Sequence, residues 1–480
     1  WMRAPDRREC RRRNYPESMG MCMGKRIMLV TEKKIPVNNK TKKERKIMKK
    51  RLISALLITA MAATMVAGCG KKSEESKDGK VHIQFMHMQV EQERQDAVQA
   101  LIDKFQEANP DIVVESVPVN EDDYDSKIAT QGGNGELAAV VEYSQDQAKT
   151  SVANQFTDVD AVKEVVDAKG EDAFYEGALK VTKTEDGASY VGVPVSSWVQ
   201  GIWVNEAMLA EKNLAVPTTW EEVLKVAEAF HDPNNQMYGI ALPTSDSAFT
   251  EQVFSQFALS NGANVFDGDK KVTVDTPEMK EALEYYKELA ALSMPGSTEV
   301  ADVNDAFVGK HAPMAMYSTY ILGNVKEAGF AEDLTLVLPN RKSEAAYGCI
   351  TVLGIAAGMD EAKTDAAKKF VSFMLEDENN VDWLNMAPGG IQPVIKSVDE
   401  MPEYTELEER KAYVHMNEEI ANAVANLQLF GAVDGKNFTE MGDVTNTGAI
   451  SKMVNNVVVQ NADVDTELKT AQTAVEGLMK

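Results

Sequence analysis

Cysteine is scarce in this 480-residue chain, and the four that occur are unevenly placed. Cys10 and Cys22 lie in a basic leader, Cys69 closes an apolar run, and Cys349 stands alone in everything that follows. No intramolecular disulfide is therefore expected after Cys69, and folding there must rest on packing. Histidine is sparse too: His82, His87, His231, His311 and His415 are the five. None belongs to an HExxH pair or stands with a cysteine at zinc-site spacing, and the chain has neither a GxSxG elbow nor a P-loop. Those absences remove the commonest signatures of zinc hydrolases, serine hydrolases and P-loop NTPases. Two weaker patterns also fall away. Gly133 to Ala138 spells GxGxxA, but it follows a helical pattern instead of a strand, so it is read as a glycine-rich loop. Asp232-Pro233-Asn234-Asn235-Gln236 lacks the central glycine and closing glutamate of a calcium loop and is read as a turn. No metal or cofactor is expected, and no pair of catalytic carboxylates is marked out.

Long apolar runs are nearly absent as well. The one that matters, Leu52 to Val66, is 15 residues long, short of the about 20 that span a bilayer as a helix. Met48-Lys49-Lys50-Arg51 precedes it and Ala67-Gly68-Cys69 follows it. That is the charged, apolar and small-residue succession of a cleaved export signal. Val66-Ala67-Gly68-Cys69 resembles the lipobox of bacterial lipoproteins, which implies acylation of Cys69 and anchoring on the extracytoplasmic face of the cell membrane. The chain opens on Trp1, and residues 1–47 are basic and without hydrophobic period. They are read as an extension upstream of a start at Met48, with 48–68 as the signal peptide. Residues 69–80 are polar and charged and are read as a flexible, lipid-anchored tether.

Positive charge is missing from the rest. Residues 1–69 hold 18 basic and 5 acidic groups, while residues 70–480 hold 32 basic and 70 acidic, a net of −38. Phosphate binding needs basic surface, so nucleic acid is not an expected partner. The acidity itself is read as keeping an exported protein dispersed.

The remaining 400 or so residues suffice for two domains. Val81 to Phe85 alternates as a strand. Val98, Leu101, Ile102 and Phe105 make one helix face, stopped at Asn109-Pro110, and Ile112 to Val114 is a second strand. That strand–helix–strand order predicts a parallel sheet. Further strands are predicted at Tyr190 to Val195, Gly201 to Val204, Leu334 to Leu338 and Thr351 to Ala357. Thr218 and Thr219, with Glu221 and Glu222 three residues on, predict a capped helix through Phe230. Ala367, Phe370, Val371 and Met374 mark another helix, and Asp465 to Met479 a last one.

Six segments in order then resemble the family 1 extracellular solute-binding proteins of ABC importers, the group that includes maltose-binding protein. They are LIDKFQEANPDIVVE from Leu101, YVGVPVSSWVQGIWVNEAML from Tyr190, VPTTWEEVLKVAEAF from Val216, VTVDTPEMKEALEYYKEL from Val272, DAFVGKHAPMAMYSTYILGNV from Asp305 and APGGIQPV from Ala387. The resemblance implies an α/β fold of two hinge-linked lobes, the type II periplasmic-binding fold, with mixed sheets flanked by helices and ligand in the cleft. Lobe 1 would comprise residues 81–198 and 349–400, and lobe 2 residues 199–348 and 401–480. It implies capture without catalysis by a monomer that closes on its ligand and docks on the transmembrane subunits of an ABC importer. A carbohydrate, an oligosaccharide above a monosaccharide, is the expected ligand. The alternatives are a secreted carbohydrate-active enzyme, which needs two carboxylates held close across a cleft, and a binding protein for a non-sugar solute.

Sugar recognition calls for rings that stack on CH faces and planar polar groups that take hydroxyls. At positions matching the family's cleft loops stand His87 and Gln89 after the first strand, Tyr143 and Asp146, Trp198 on the hinge side, Asp246 and Phe249, and Tyr320. Gly389, Gly390 and Gln392 match a glycine turn. Trp203, Trp220 and Trp383 are expected in the core, and Cys349 as a small buried thiol.

Overall fold

The computed structural model describes residues 79–479. The leader, the signal segment and Cys69 lie outside the described residues. The chain enters on β1 (Val81–His87), whose Ile83 and Phe85 are buried between exposed His82 and Gln84. It returns through α1 (Gln92–Ala108), which buries the expected face of Val98, Leu101, Ile102 and Phe105. β2 (Ile112–Pro118) then pairs parallel to β1, from Val81↔Ile112 to His87↔Pro118. After α2 (Glu121–Asn134), β3 (Val140–Ser144) joins β1 in parallel on the other side and leads into α3 (Gln145–Ala153). The GxGxxA stretch is the end of α2, where Gly135 caps the helix at φ 70°, a conformation that glycine adopts without penalty.

Two long strands tie the molecule together. β4 (Val193–Asn205) and β7 (Tyr347–Ile355) run antiparallel, in register from Val193↔Leu353 to Gln200↔Tyr347. On its other edge β7 pairs antiparallel with β3, from Val140↔Ile355 to Ser144↔Thr351. β4 continues the other way, against β5 (Met314–Ser318) and β6 (Leu334–Val337). Two expected strands, at 190–195 and 201–204, are thus one. The polar Ser196-Ser197 and Gln200 interrupt the apolar pattern, but the ladder to β7 satisfies their backbone. Pro194, which cannot donate to a ladder, sits at an irregularity between Pro194 and Ser196. The expected lobe boundary at 198/199 falls inside β4, and that at 348/349 inside β7.

The two expected lobes would be built on β1–β3 at one end of this sheet and on β5, β6 and the far half of β4 at the other. In lobe 2, α4 (Trp220–Phe230) starts where predicted: the Thr219 side chain accepts from the Glu222 amide. The Glu222 carboxylate in turn takes the Thr218 amide and hydroxyl, each at 2.8 Å. Its Trp220 stacks on Tyr285 of α6 (Pro277–Ala291) at 4.2 Å, within a core shared with α5 (Ala248–Ser260). Back in lobe 1, α7 (Glu361–Met374) lays Phe370 against Phe85 and Phe105. Trp383 of α8 (Asp377–Leu384) donates its indole N–H to Ser196 Oγ at 3.1 Å. Trp203, Trp220 and Trp383 are all buried, as expected.

The chain then passes to α9 (Asn417–Ala425), and Leu427 bridges to Ala346 beside the start of β7. A two-residue Asp434-Gly435 turn follows, both at positive φ, joining β8 (Ala432–Val433) to β9 (Lys436–Asn437). That is the conformation a tight hairpin needs. α10 (Met441–Thr447), α11 (Ala449–Val458) and α12 (Val464–Leu478) complete lobe 2.

Candidate functional site

A cavity of about 450 Å³ opens between the lobes. Asp125 of α2 and Asp146 and Lys149 of α3 form one wall; Glu251 and Gln252 of α5 and Thr445 of α10 form the other; Tyr347 of β7 is at the pivot.

Asp146 is placed by a capping box. The Ser144 side chain accepts from the Gln147 amide at 3.2 Å and the Gln147 side chain accepts from the Ser144 amide at 2.9 Å. The helix therefore starts at the cavity rim with Asp146 in its first turn, where the macrodipole favours an anion. The Asp146 side chain is 58% exposed, and Lys149 reaches it at 3.0 Å. Gln145, buried beside it, accepts from the Ile350 amide at 2.7 Å and so fixes α3 to β7. On the far wall α5 is capped by Ser247 and anchored to β4 through Gln256 Nε2, which donates to Gln200 Oε1 at 2.8 Å. Glu251 is buried on this helix. Burial first, and the Asp146 charge after it, raise its carboxyl to about 7, against a lowering by the Thr445 hydroxyl.

Of the expected ligand residues only Asp146 lines this cavity; Trp198 touches its lining through Tyr347, while Asp246, Phe249 and Tyr320 lie outside it. Trp198 and Tyr347, both half-buried, lie 5.8 Å apart on β4 and β7. Phe249 meets Tyr317 edge-on at 5.9 Å. Tyr320 is 46% exposed, among the most exposed large hydrophobic side chains described. An added Cβ at Gly390 would lie 2.8 Å from the Tyr320 ring, so only glycine leaves that ring its seat. Thr319 Oγ1 donates to the Gly390 carbonyl at 2.8 Å and holds the two segments together. Asp246 is exposed and accepts from Ser451 Oγ of α11 at 2.6 Å.

Five expected ligand residues thus reach the surface: Asp146, Trp198, Asp246, Phe249 and Tyr320. Four do not. His87 is buried because β1 runs two residues past its alternating part and takes His87 into the sheet. Its Nδ1 accepts from the Gln89 amide at 3.3 Å and its Nε2 donates to Ser116 Oγ at 2.8 Å. Burial lowers its pKa to about 4, so it is a neutral structural imidazole. Gln89 is buried and donates to Glu142 Oε1 at 2.8 Å. Tyr143 lies inside β3, its ring over Gly354 and its hydroxyl 3.1 Å from Ser151 Oγ. Gln392 is buried, with Oε1 accepting from Tyr404 at 3.2 Å and Arg410 at 3.1 Å. Gly390 supports Tyr320 and presents no side chain. Cys349 is half-buried, not fully buried. Burial, then the Asp146 charge, raises its thiol to about 12.

Sequence reasoning missed Glu251, Gln252, Tyr347, Lys149 and Thr445. A visible sign existed only for Glu251, as the carboxylate two residues beyond Phe249.

A cavity walled by helices on either side of the paired strands β4 and β7, and lined largely by polar groups, is an arrangement suited to holding a solute. The model of the bacterial extracellular solute-binding proteins matches residues 100–412, and the chain belongs to that family. It is 45% identical over 425 residues to an Escherichia coli (strain K12) protein carrying the name ABC transporter periplasmic-binding protein YcjN, across 88% of this chain and 98% of that one. It is 25% identical over 346 residues to a multiple sugar-binding protein of Streptococcus mutans, across 67% and 78% of the two chains. Among solved structures, the cyclic alpha-maltosyl-1,6-maltose binding protein of Arthrobacter globiformis shares the fold with a TM-score of 0.69 at 20% identity, over 84% of this chain and 100% of that one. The family places the protein on the extracytoplasmic side of the membrane, and its relatives are transport binding proteins.

Proposed function

We propose that this protein captures a carbohydrate, an oligosaccharide, between its lobes and delivers it to the transmembrane subunits of an ABC importer. The carrying observation is the cavity itself, where Asp125, Asp146 and Glu251 stand with the half-buried Tyr347 ring, which in turn touches Trp198. Rings stack on the apolar CH faces of a sugar while carboxylates accept its hydroxyls, a combination suited to neutral polyhydroxyl ligands. Asp146, Trp198, Asp246, Phe249, Tyr320, Glu251 and Tyr347 are the contacts, and Gly390 is the seat of Tyr320. The pivot lies in β4, in β7 and in the segment after residue 400, and closure there removes the ligand from water. The protein acts as a monomer without a catalytic step. It is held at the membrane by a lipid on Cys69, a reading that rests on Val66-Ala67-Gly68-Cys69 alone.

A thermal-shift screen of residues 71–480 against maltose, maltotetraose and other mono- and oligosaccharides, then amino acids and peptides, tests this. A ligand at 100 times its Kd adds about 2.7 kcal/mol of stability. A shift with one glycan class, with the glycan recovered intact, is the expected result. A shift only with a non-sugar solute overturns the carbohydrate assignment, and cleavage of the glycan overturns the transport reading. Replacing Cys69 by serine should abolish acyl labelling and release the protein from the membrane.

A further inference from the structure

Glu251 is the cavity-lining carboxylate with an oxygen both buried and without a hydrogen-bond partner. It is 6% exposed. Its Oε1 accepts the Thr445 hydroxyl of α10. Its Oε2 is closed off from solvent and has no hydrogen-bond partner. The charged and titratable groups that line the cavity around it are Asp125 on α2, Asp146 and Lys149 on α3 and Tyr347 on β7. Lys149 is already committed to Asp146 at 3.0 Å. The α10 residues that line the cavity, Met441, Gly442, Thr445 and Asn446, carry no charge, nor do Gln252 and Ser255 on α5.

A carboxylate oxygen shut away from water without a donor is strongly disfavoured. Two things relieve it: a proton on the carboxyl, or a turn of the carboxylate toward the cavity that brings it to a donor on whatever fills the space. We propose that Glu251 is a specificity-determining acceptor of this site, holding a proton when the cavity is empty and exchanging it for a hydroxyl hydrogen bond when ligand enters. The proton passes to solvent, and no covalent bond of the ligand changes. The proposal rests on the cavity being the ligand site, and it deepens that reading in two ways. The ligand must carry a free hydroxyl at the position over Glu251, so an O-methyl ether there is refused. Binding must also strengthen as pH rises. The empty-site carboxyl lies up at about 7 through burial and the nearby Asp146 charge. A donor pulls it back toward the ordinary carboxylate range, so affinity climbs through that window and levels off above it.

The test is a carbon-13 carboxyl NMR titration of the whole chain with labelled glutamate, the resonance assigned by Glu251→Gln. It is run without sugar, with maltotetraose, and with each sugar that stabilises the protein in the thermal-shift screen. The expected midpoint is near neutral without sugar and at least one unit lower with a stabilising sugar, and the affinity of Glu251→Gln should be flat with pH. Asp146→Asn should lower the unliganded midpoint by removing the opposing charge. An unliganded midpoint in the ordinary carboxylate range overturns the proposal. So does a near-neutral midpoint that a stabilising sugar leaves unmoved. Stabilisation by no sugar at all overturns the carbohydrate reading, while the unliganded midpoint still tests the proton on the empty site, so the two failures are told apart.

Discussion

Replacing Glu142 by glutamine isolates the cost of a buried carboxylate that shapes one rim of the cleft. Glu142 lies on β3, 3% exposed. Its Oε2 accepts the Met88 amide and its Oε1 accepts Gln89 Nε2, both at 2.8 Å. These bonds fix the turn that follows β1. Burial nonetheless dominates and raises the carboxyl from 4.5 to about 7. The folded value therefore exceeds the unfolded one. Its stabilising contribution is complete below the unfolded value and is lost as pH rises through about 7. At about 1.4 kcal/mol per unit, linkage gives a loss of about 2.5 kcal/mol between about pH 5 and about pH 8. Other groups with raised values, Glu251 and Asp399, titrate in nearby windows. They are present in both proteins and cancel in the difference. Urea unfolding of wild type and Glu142→Gln across that range should show the wild type losing about 2.5 kcal/mol relative to the variant as pH rises. Parallel curves would refute the assignment of a raised, buried carboxyl to this position.

Removing the Tyr320 ring should weaken sugar binding about three- to tenfold by calorimetry, the worth of one aromatic contact, with little change in melting temperature because the ring is 46% exposed. Gly390→Ala should weaken binding in the same sense, since the new methyl would stand 2.8 Å from that ring and displace it; unchanged affinity in both variants would remove Tyr320 from the site. Gly348→Ala places a Cβ 2.6 Å from Leu427 Cδ2 and from the Trp198 carbonyl, where β4 and β7 pair. It should cost about 1–3 kcal/mol by denaturation and alter the small-angle scattering of the unliganded protein. Thr219→Ala removes the α4 cap and should cost about 1 kcal/mol, with sugar affinity untouched.

Local signals were enough for the elements of lobe 1 and for many of lobe 2. The helix face of Val98, Leu101, Ile102 and Phe105, the Thr219 cap with Glu222, and the segments that resemble the solute-binding family follow from spacing along the chain. Asp146 was expected from the family resemblance, and the Ser144 capping box that places it in the structure is itself local, joining Ser144 to Gln147. What spacing cannot encode is where a strand ends. His87 and Tyr143 were expected in loops, yet β1 and β3 each extend to include them, because ladder bonds to β2 and β7 satisfy backbone that the side-chain pattern leaves ambiguous. The union of two expected strands into β4 has the same origin: its polar middle is held by β7, more than 140 residues later in the chain.

The sequence by itself determined the export signal pattern, the acidic surface, the element types and the family. Each depends on composition or on residues within a few positions of one another. Only the tertiary structure decided which polar groups face the cleft. Glu251 and Asp146 lie on helices more than 90 residues apart, α5 and α3, and whether a carboxylate is enclosed, paired with a hydroxyl or left short of a donor depends on what the fold packs against it. Burial and charge at such a site are properties of three-dimensional proximity, and no local pattern carries them.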